Sequence, residues 1–159
     1  MQKLLFVAPI ALLAACSGAS ETDGVEAGQW EFTVTATGVD APNAPDAAQQ
    51  AMNDQLQAQP AQTTSECFSD AEADNFAANL NRFSGNENCE ITNSEVGDGN
   101  ILVEGSCNVP GTPEPSALVM RGTYDRTSVQ ATVNLDMTAP PLGDVTIEAE
   151  LQGEHQGDC

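Results

Sequence analysis

The sequence predicts a mostly β domain, an antiparallel meander of six or seven strands, and three observations carry that reading. Several segments alternate apolar and polar residues with a period of two, as strands with one buried and one solvated face do. The connections between those segments are short and rich in Gly, Pro, Asp and Asn, so neighbouring strands should pair antiparallel. Four cysteines are spread through the same region, an even set that suits a disulfide-stapled fold. The expected architecture is one domain over 28–159, its sheet curled or partly closed as a half-barrel. It should carry one short capped helix and a long Ala/Gln/Pro-rich excursion.

The first strand starts at Gly28. Trp30, Phe32, Val34 and Ala36 point one way, and Glu31, Thr33, Thr35 and Thr37 the other. Trp30 therefore reads as core, with a ligand-lining role as the alternative. Residues 39–61 follow, rich in Ala, Gln and Pro. Pro45 can open a helix bearing Ala48, Met52 and Leu56 on one stripe, but the stripe is thin. The segment is expected to be a long mobile excursion, helical at most in its middle.

Residues 61–68 look like a short strand. Ser69-Asp70-Ala71-Glu72 then has the form of a capping box, in which Glu72 reaches back to the start of the helix. Behind it, Ala73, Phe76, Ala77 and Leu80 share one face of a helix of about ten residues. Asp70, Glu72 and Asp74 alternate as in a calcium loop, yet the central Gly and terminal Glu of such a loop are missing. Carboxylates also suit a helix N-terminus electrostatically, so the capping reading is preferred.

Residues 89–96 and 100–107 flank the turn signal Gly97-Asp98-Gly99. A hairpin folded about Asp98 sets Cys89 opposite Cys107, close enough for a disulfide. That leaves Cys67 to pair with Cys159. Loop entropy gives about 3 kcal/mol for the short bridge and about 4–5 for the long one. A zinc site built from all four is the rival, but no Cys-x-x-Cys pair supports it. Three amphipathic strands complete the chain. Their apolar sets are Leu118, Met120 and Tyr124; then Val129, Ala131, Val133, Leu135 and Met137; then Val145, Ile147, Ala149 and Leu151.

The N-terminus has a different grammar. Lys3 precedes the apolar run Leu4 to Leu13, which is followed by small Ala14 and Ala15, the layout of a secretory signal. The run falls short of the roughly 20 residues that span a bilayer. Leu13-Ala14-Ala15-Cys16 resembles the lipobox of bacterial lipoproteins, which implies cleavage between Ala15 and Cys16 and a diacylglycerol thioether on Cys16. The alternative is ordinary secretory cleavage beside an incidental cysteine. Two or more acyl chains anchor a protein stably where one does so marginally. Residues 1–15 thus form the signal, and 16–27 a lipidated start and flexible tether. Ser17, in place of an Asp, directs the expectation to the periplasmic face of the outer membrane in a Gram-negative host.

Charge limits the partners. The full chain carries −20, with 24 acids against 4 Lys and Arg. Loss of Lys3 with the signal makes it more acidic still. Such a surface repels nucleic acid and anionic head groups. The acids are scattered, which fits solubility better than a cation-binding surface.

Gly28-Gln29-Trp30-Glu31 resembles the Gly-x-Trp-Glu opening of the Domain of Unknown Function 3617 family. The excursion, Gln62-Thr63-Thr64-Ser65-Glu66-Cys67 leading into Ser69-Asp70-Ala71-Glu72, the Cys89 and Cys107 pair, and the closing Gly157-Asp158-Cys159 are similar too. His155 departs from the basic residue that the resemblance implies near that C-terminal end. The resemblance implies a small Gram-negative envelope protein, in many cases a lipoprotein, with no known activity.

The residues argue against catalysis. There is no Gly-x-Ser-x-Gly elbow, P-loop, paired-His motif or nucleotide fingerprint, and no cofactor is expected. The single histidine, His155, is expected at the surface. Two non-enzymatic readings remain. The first is a lipid-anchored structural or protein-interaction module. The second is a binding module for a lipid or small hydrophobic ligand, which a cavity above about 300 Å³ with an open mouth would favour.

Overall fold

The computed structural model of the chain describes residues 24–79 and 88–159. Trp30 and Phe32 anchor β1 (Gly28–Asp40) to the core, and Glu31 between them faces solvent. Helix α1 (Asp46–Gln57) follows, then β2 (Gln62–Phe68), α2 (Asp70–Asp74) and α3 (Phe76–Asn79). The remaining strands are β3 (Cys89–Gly97), β4 (Asn100–Cys107), β5 (Ser116–Tyr124), β6 (Ser128–Ala139) and β7 (Gly143–Gly157). Together the seven strands form one antiparallel sheet in the order β2-β1-β7-β6-β5-β4-β3. Strands β3 to β7 are a simple meander, and β1 closes against β7 with β2 outside it. The sheet is open, with β2 and β3 at its two edges.

The β3–β4 turn shows how register is set. Asp98 and Gly99 both have positive φ, 50° and 74°, the pairing a tight two-residue hairpin turn requires. The loop is thus shorter than a three-residue turn centred on Asp98. In an unbroken ladder from Gly97↔Asn100, Cys89 would face Asn108. A bulge between Ile91 and Asn93 absorbs one residue and moves the partner of Cys89 to Cys107.

Three elements differ from the sequence expectation. Residues 39–61 are not one long excursion: β1 takes the first two, and α1 is a docked helix. Its half-buried residues are Ala48, Gln49, Met52, Asn53 and Leu56, the stripe that meets β1. The capped helix is two short helices rather than one. Glu72 does accept hydrogen bonds from the Ser69 backbone N–H at 3.0 Å and hydroxyl at 2.7 Å. Asn75 then leaves helical geometry (φ −110°, ψ 41°), and its side-chain amide bonds back to Ala71 O at 2.9 Å. Such local side-chain bonding competes with helix continuation. Leu80 and the Ala77 side chain lie outside the described residues. Strand β7 runs six residues beyond Leu151, because Gly153 replaces an inward side chain. A Cβ there would sit 2.5 Å from Phe32 Cε1, so the pattern break in the sequence is a packing requirement.

Candidate functional site

One face of the sheet is concave and apolar, and its two ends are built differently. At one end, Phe68 at the end of β2 and Phe76 at the start of α3 pack with Trp30, Phe32 and Tyr124. The rings form a chain of contacts: Trp30 to Phe32 at 5.8 Å, Phe32 to Phe68 at 6.1 Å, Phe68 to Phe76 at 6.4 Å and Phe76 to Tyr124 at 5.5 Å. Trp30 is wholly buried and its indole N–H donates to Glu26 O at 2.8 Å, so it serves as core.

His155 belongs to this end and is not a free surface residue. Its ring lies 5.6 Å from that of Trp30, and Nε2 is 3.0 Å from Ala27 O. β7 carries it past Gly153 to the inner face, a position hidden from sequence reading because the alternation lapses there. The backbone before β1 is fixed at the same end, with Val25 N–H on Ala73 O and Glu26 N–H on Arg126 O. Ala15, Cys16 and Ser17 lie outside the described residues.

At the other end no aromatic ring among the described residues fills the concavity. A hollow of about 240 Å³ remains, open to solvent. Its floor is Leu118 and Met120 of β5, Val133 and Leu135 of β6, and Ile147, Ala149 and Leu151 of β7. Val34 of β1 closes one side. The Cys89–Cys107 disulfide and Val109 form the other. Register explains the gathering: Leu118 pairs with Leu135 and Leu135 with Ile147, while Met120, Val133 and Ala149 form the next row. A disulfide is a compact apolar wall, and sequence reading counts it only as a staple. Its Cα atoms are 4.0 Å apart, whereas Cys67 and Cys159, at 6.0 Å, tie β2 to the C-terminus.

Ser116 is buried beside this wall, opposite Cys107, and its hydroxyl has no hydrogen-bond partner among the described residues. The convex face is polar. Arg121 lies there between Leu102 and Thr132, and Glu148 and Glu150 project from β7. Among the described residues no three His, Cys, Asp or Glu side chains gather as a metal site, and no helix is long and apolar enough to cross a membrane.

A family model described as a protein of unknown function (DUF3617) matches residues 25–159. The chain belongs to that family. No curated protein and no solved structure matches it. Across the matched DUF3617 region, the Gly28-to-Glu31 opening holds Trp30 in the aromatic core, and Gly157-Asp158-Cys159 ends in the bridge to Cys67.

Proposed function

We propose that this DUF3617 domain is an exported, lipid-anchored module that grips a protein partner through the aliphatic hollow. Residues 1–15 direct export, and lipid on Cys16 holds the domain at the periplasmic face of the outer membrane. The observation that carries the interaction reading is the hollow itself. At about 240 Å³ it is smaller than the roughly 300–1,000 Å³ of pockets that enclose a small-molecule ligand. It is open rather than enclosed, and suits a few apolar side chains of a partner. The reading is non-catalytic. His155 is spent on Ala27 and Trp30, and four of the five cysteines are joined in disulfides.

A photo-crosslinking residue at Ile147, with Thr132 on the convex face as control, tests this in envelopes of the native host. Protein adducts at Ile147 and none at Thr132 are expected. Equal labelling at both positions would overturn the reading. A second reading has its own observation: among the described residues that line the hollow, none has a polar or charged side chain. An acyl chain is then the occupant, and a lipid-sized adduct at Ile147, or lipid carried through native mass spectrometry, would replace the partner. A Cys16→Ser chain should leave the membrane fraction, and one that stayed there would refute the anchor.

A further inference from the structure

The edge of the sheet beside the hollow is unusual. β2 pairs with β1 only from Gly28↔Phe68 to Val34↔Gln62, while β7 follows β1 as far as Asp40↔Thr146. Beyond Val34, therefore, β1 has a strand on one side only among the described residues. Helix α1 stands on the other, and Asn53 takes the place of a strand residue. Its side-chain Oδ1 accepts from Val39 N–H and its Nδ2 donates to Val39 O, both at 3.0 Å. An opposed residue in an antiparallel ladder exchanges the same two bonds. One turn earlier, Gln49 Oε1 accepts from Ala41 N–H at 3.4 Å, and its amide donates to Asp40 Oδ1 at 3.1 Å.

The guard is lightly held. None of the α1 side chains is buried, so amide hydrogen bonds and a half-buried stripe supply its grip. A twelve-residue helix is marginal on its own in water. Segments with few buried contacts open locally far below the cost of global unfolding. Unpaired strand edges in turn are templates for an incoming strand.

We infer that Thr35–Asp40 of β1 is a strand-docking site, guarded by α1, for an extended segment of a partner protein that alternates apolar and basic side chains. The inference rests on the proposed interaction role and specifies the partner. A strand added here continues the line of β2 past Gln62. It lies beside Val34 and Val39, whose register partners Leu151 and Ile147 line the hollow, so its inward apolar side chains have a place to go. On the outward face Glu150 and Glu148 of β7 stand across Thr35 and Gly38 of β1, and the Glu148 carboxylate reaches over Gly38. With a net charge of −20, a second copy of this chain would be repelled and a basic segment attracted.

The probe is a ten-residue synthetic peptide alternating Val and Lys, titrated into the purified full-length chain, with a Val/Glu peptide as control. Asn53→Ala should raise affinity for Val/Lys at least fivefold and speed hydrogen exchange at Val39 and Ala41 at least tenfold, leaving Val129 protected. Asn53→Asp keeps the acceptor for Val39 N–H, loses the donor to Val39 O and should fall between. Faster exchange with unchanged peptide affinity would show that the edge is guarded but docks nothing. Unchanged exchange would refute the guard, and equal binding of Val/Glu would refute the charge assignment. Ala149→Phe separates the two levels. If it leaves Val/Lys affinity intact while Asn53→Ala still raises it, the docking edge stands and the role of the hollow fails.

Discussion

The two ends of the concave face share the same strands yet differ in what completes them. Along β6, Val129 is 1 % exposed and Ala131 7 %, whereas Val133, Leu135 and Met137 are only half-buried. The apolar alternation itself does not change along the strand. What changes is the neighbour: β2, α2 and α3 bring Phe68 and Phe76 to the first end, and nothing equivalent covers the second among the described residues. Aromatic rings contribute large buried areas and specific edge contacts, so one end carries the larger share of the stability and the other is left half-covered.

The comparison breaks most sharply on truncation. Phe32→Ala removes a ring at the packed end and should cost about 3–5 kcal/mol. Ile147→Ala at the hollow should cost well under half of that, because solvent already reaches the site. Urea unfolding followed by Trp30 fluorescence measures both, and equal losses would end the distinction. Added atoms should show the reverse asymmetry. Gly153→Ala drives a Cβ into the Phe32 ring, and overpacking of this kind costs about 1–3 kcal/mol. Ala149→Phe adds far more volume but points into the hollow, so its cost should stay below about 1 kcal/mol. Melting temperatures of the two variants decide the point.

The smallest effect concerns the turn that carries the packed end. Asp125 accepts hydrogen bonds from the Thr127 and Ser128 backbone N–H groups, each at 2.7 Å, and from the Ser128 hydroxyl at 2.8 Å. These bonds, the one from the Thr127 backbone foremost, hold its carboxyl below the usual aspartate range. A depressed folded-state value gives stability that is present above the unfolded-state value. That stability is lost as pH falls through the folded one. The stability gap between the native chain and Asp125→Ala should therefore be flat near neutrality and narrow below about pH 4. Asp125 is exposed, so the gap is small; a gap that widened in acid would contradict the turn geometry.

Much of this fold was legible in the residues. Period-two patterning located the strands, because alternate side chains of a strand must face opposite sides of the sheet. The break after Leu151 hid the last six residues of β7, since a glycine that makes room for a ring leaves no apolar mark. The thin stripe of α1 was visible, but its docking was not. Asn53 and Gln49 look like ordinary polar helix residues until the free edge of β1 is beside them. The hollow was the least legible. Its walls come from six strands and one connection, and Cys89 and Cys107 show as a bridge without showing what the bridge encloses.

The sequence by itself determined the strand faces, the place of the β3–β4 hairpin, the acidic surface and the family, all properties of nearest neighbours along the chain or of composition. Tertiary structure alone decided where β2 stops along β1, which end of the concave face received rings, and that a helix amide stands in for a missing strand. Those outcomes depend on contacts between residues far apart in sequence, and no local pattern encodes which surface a neighbour will leave uncovered.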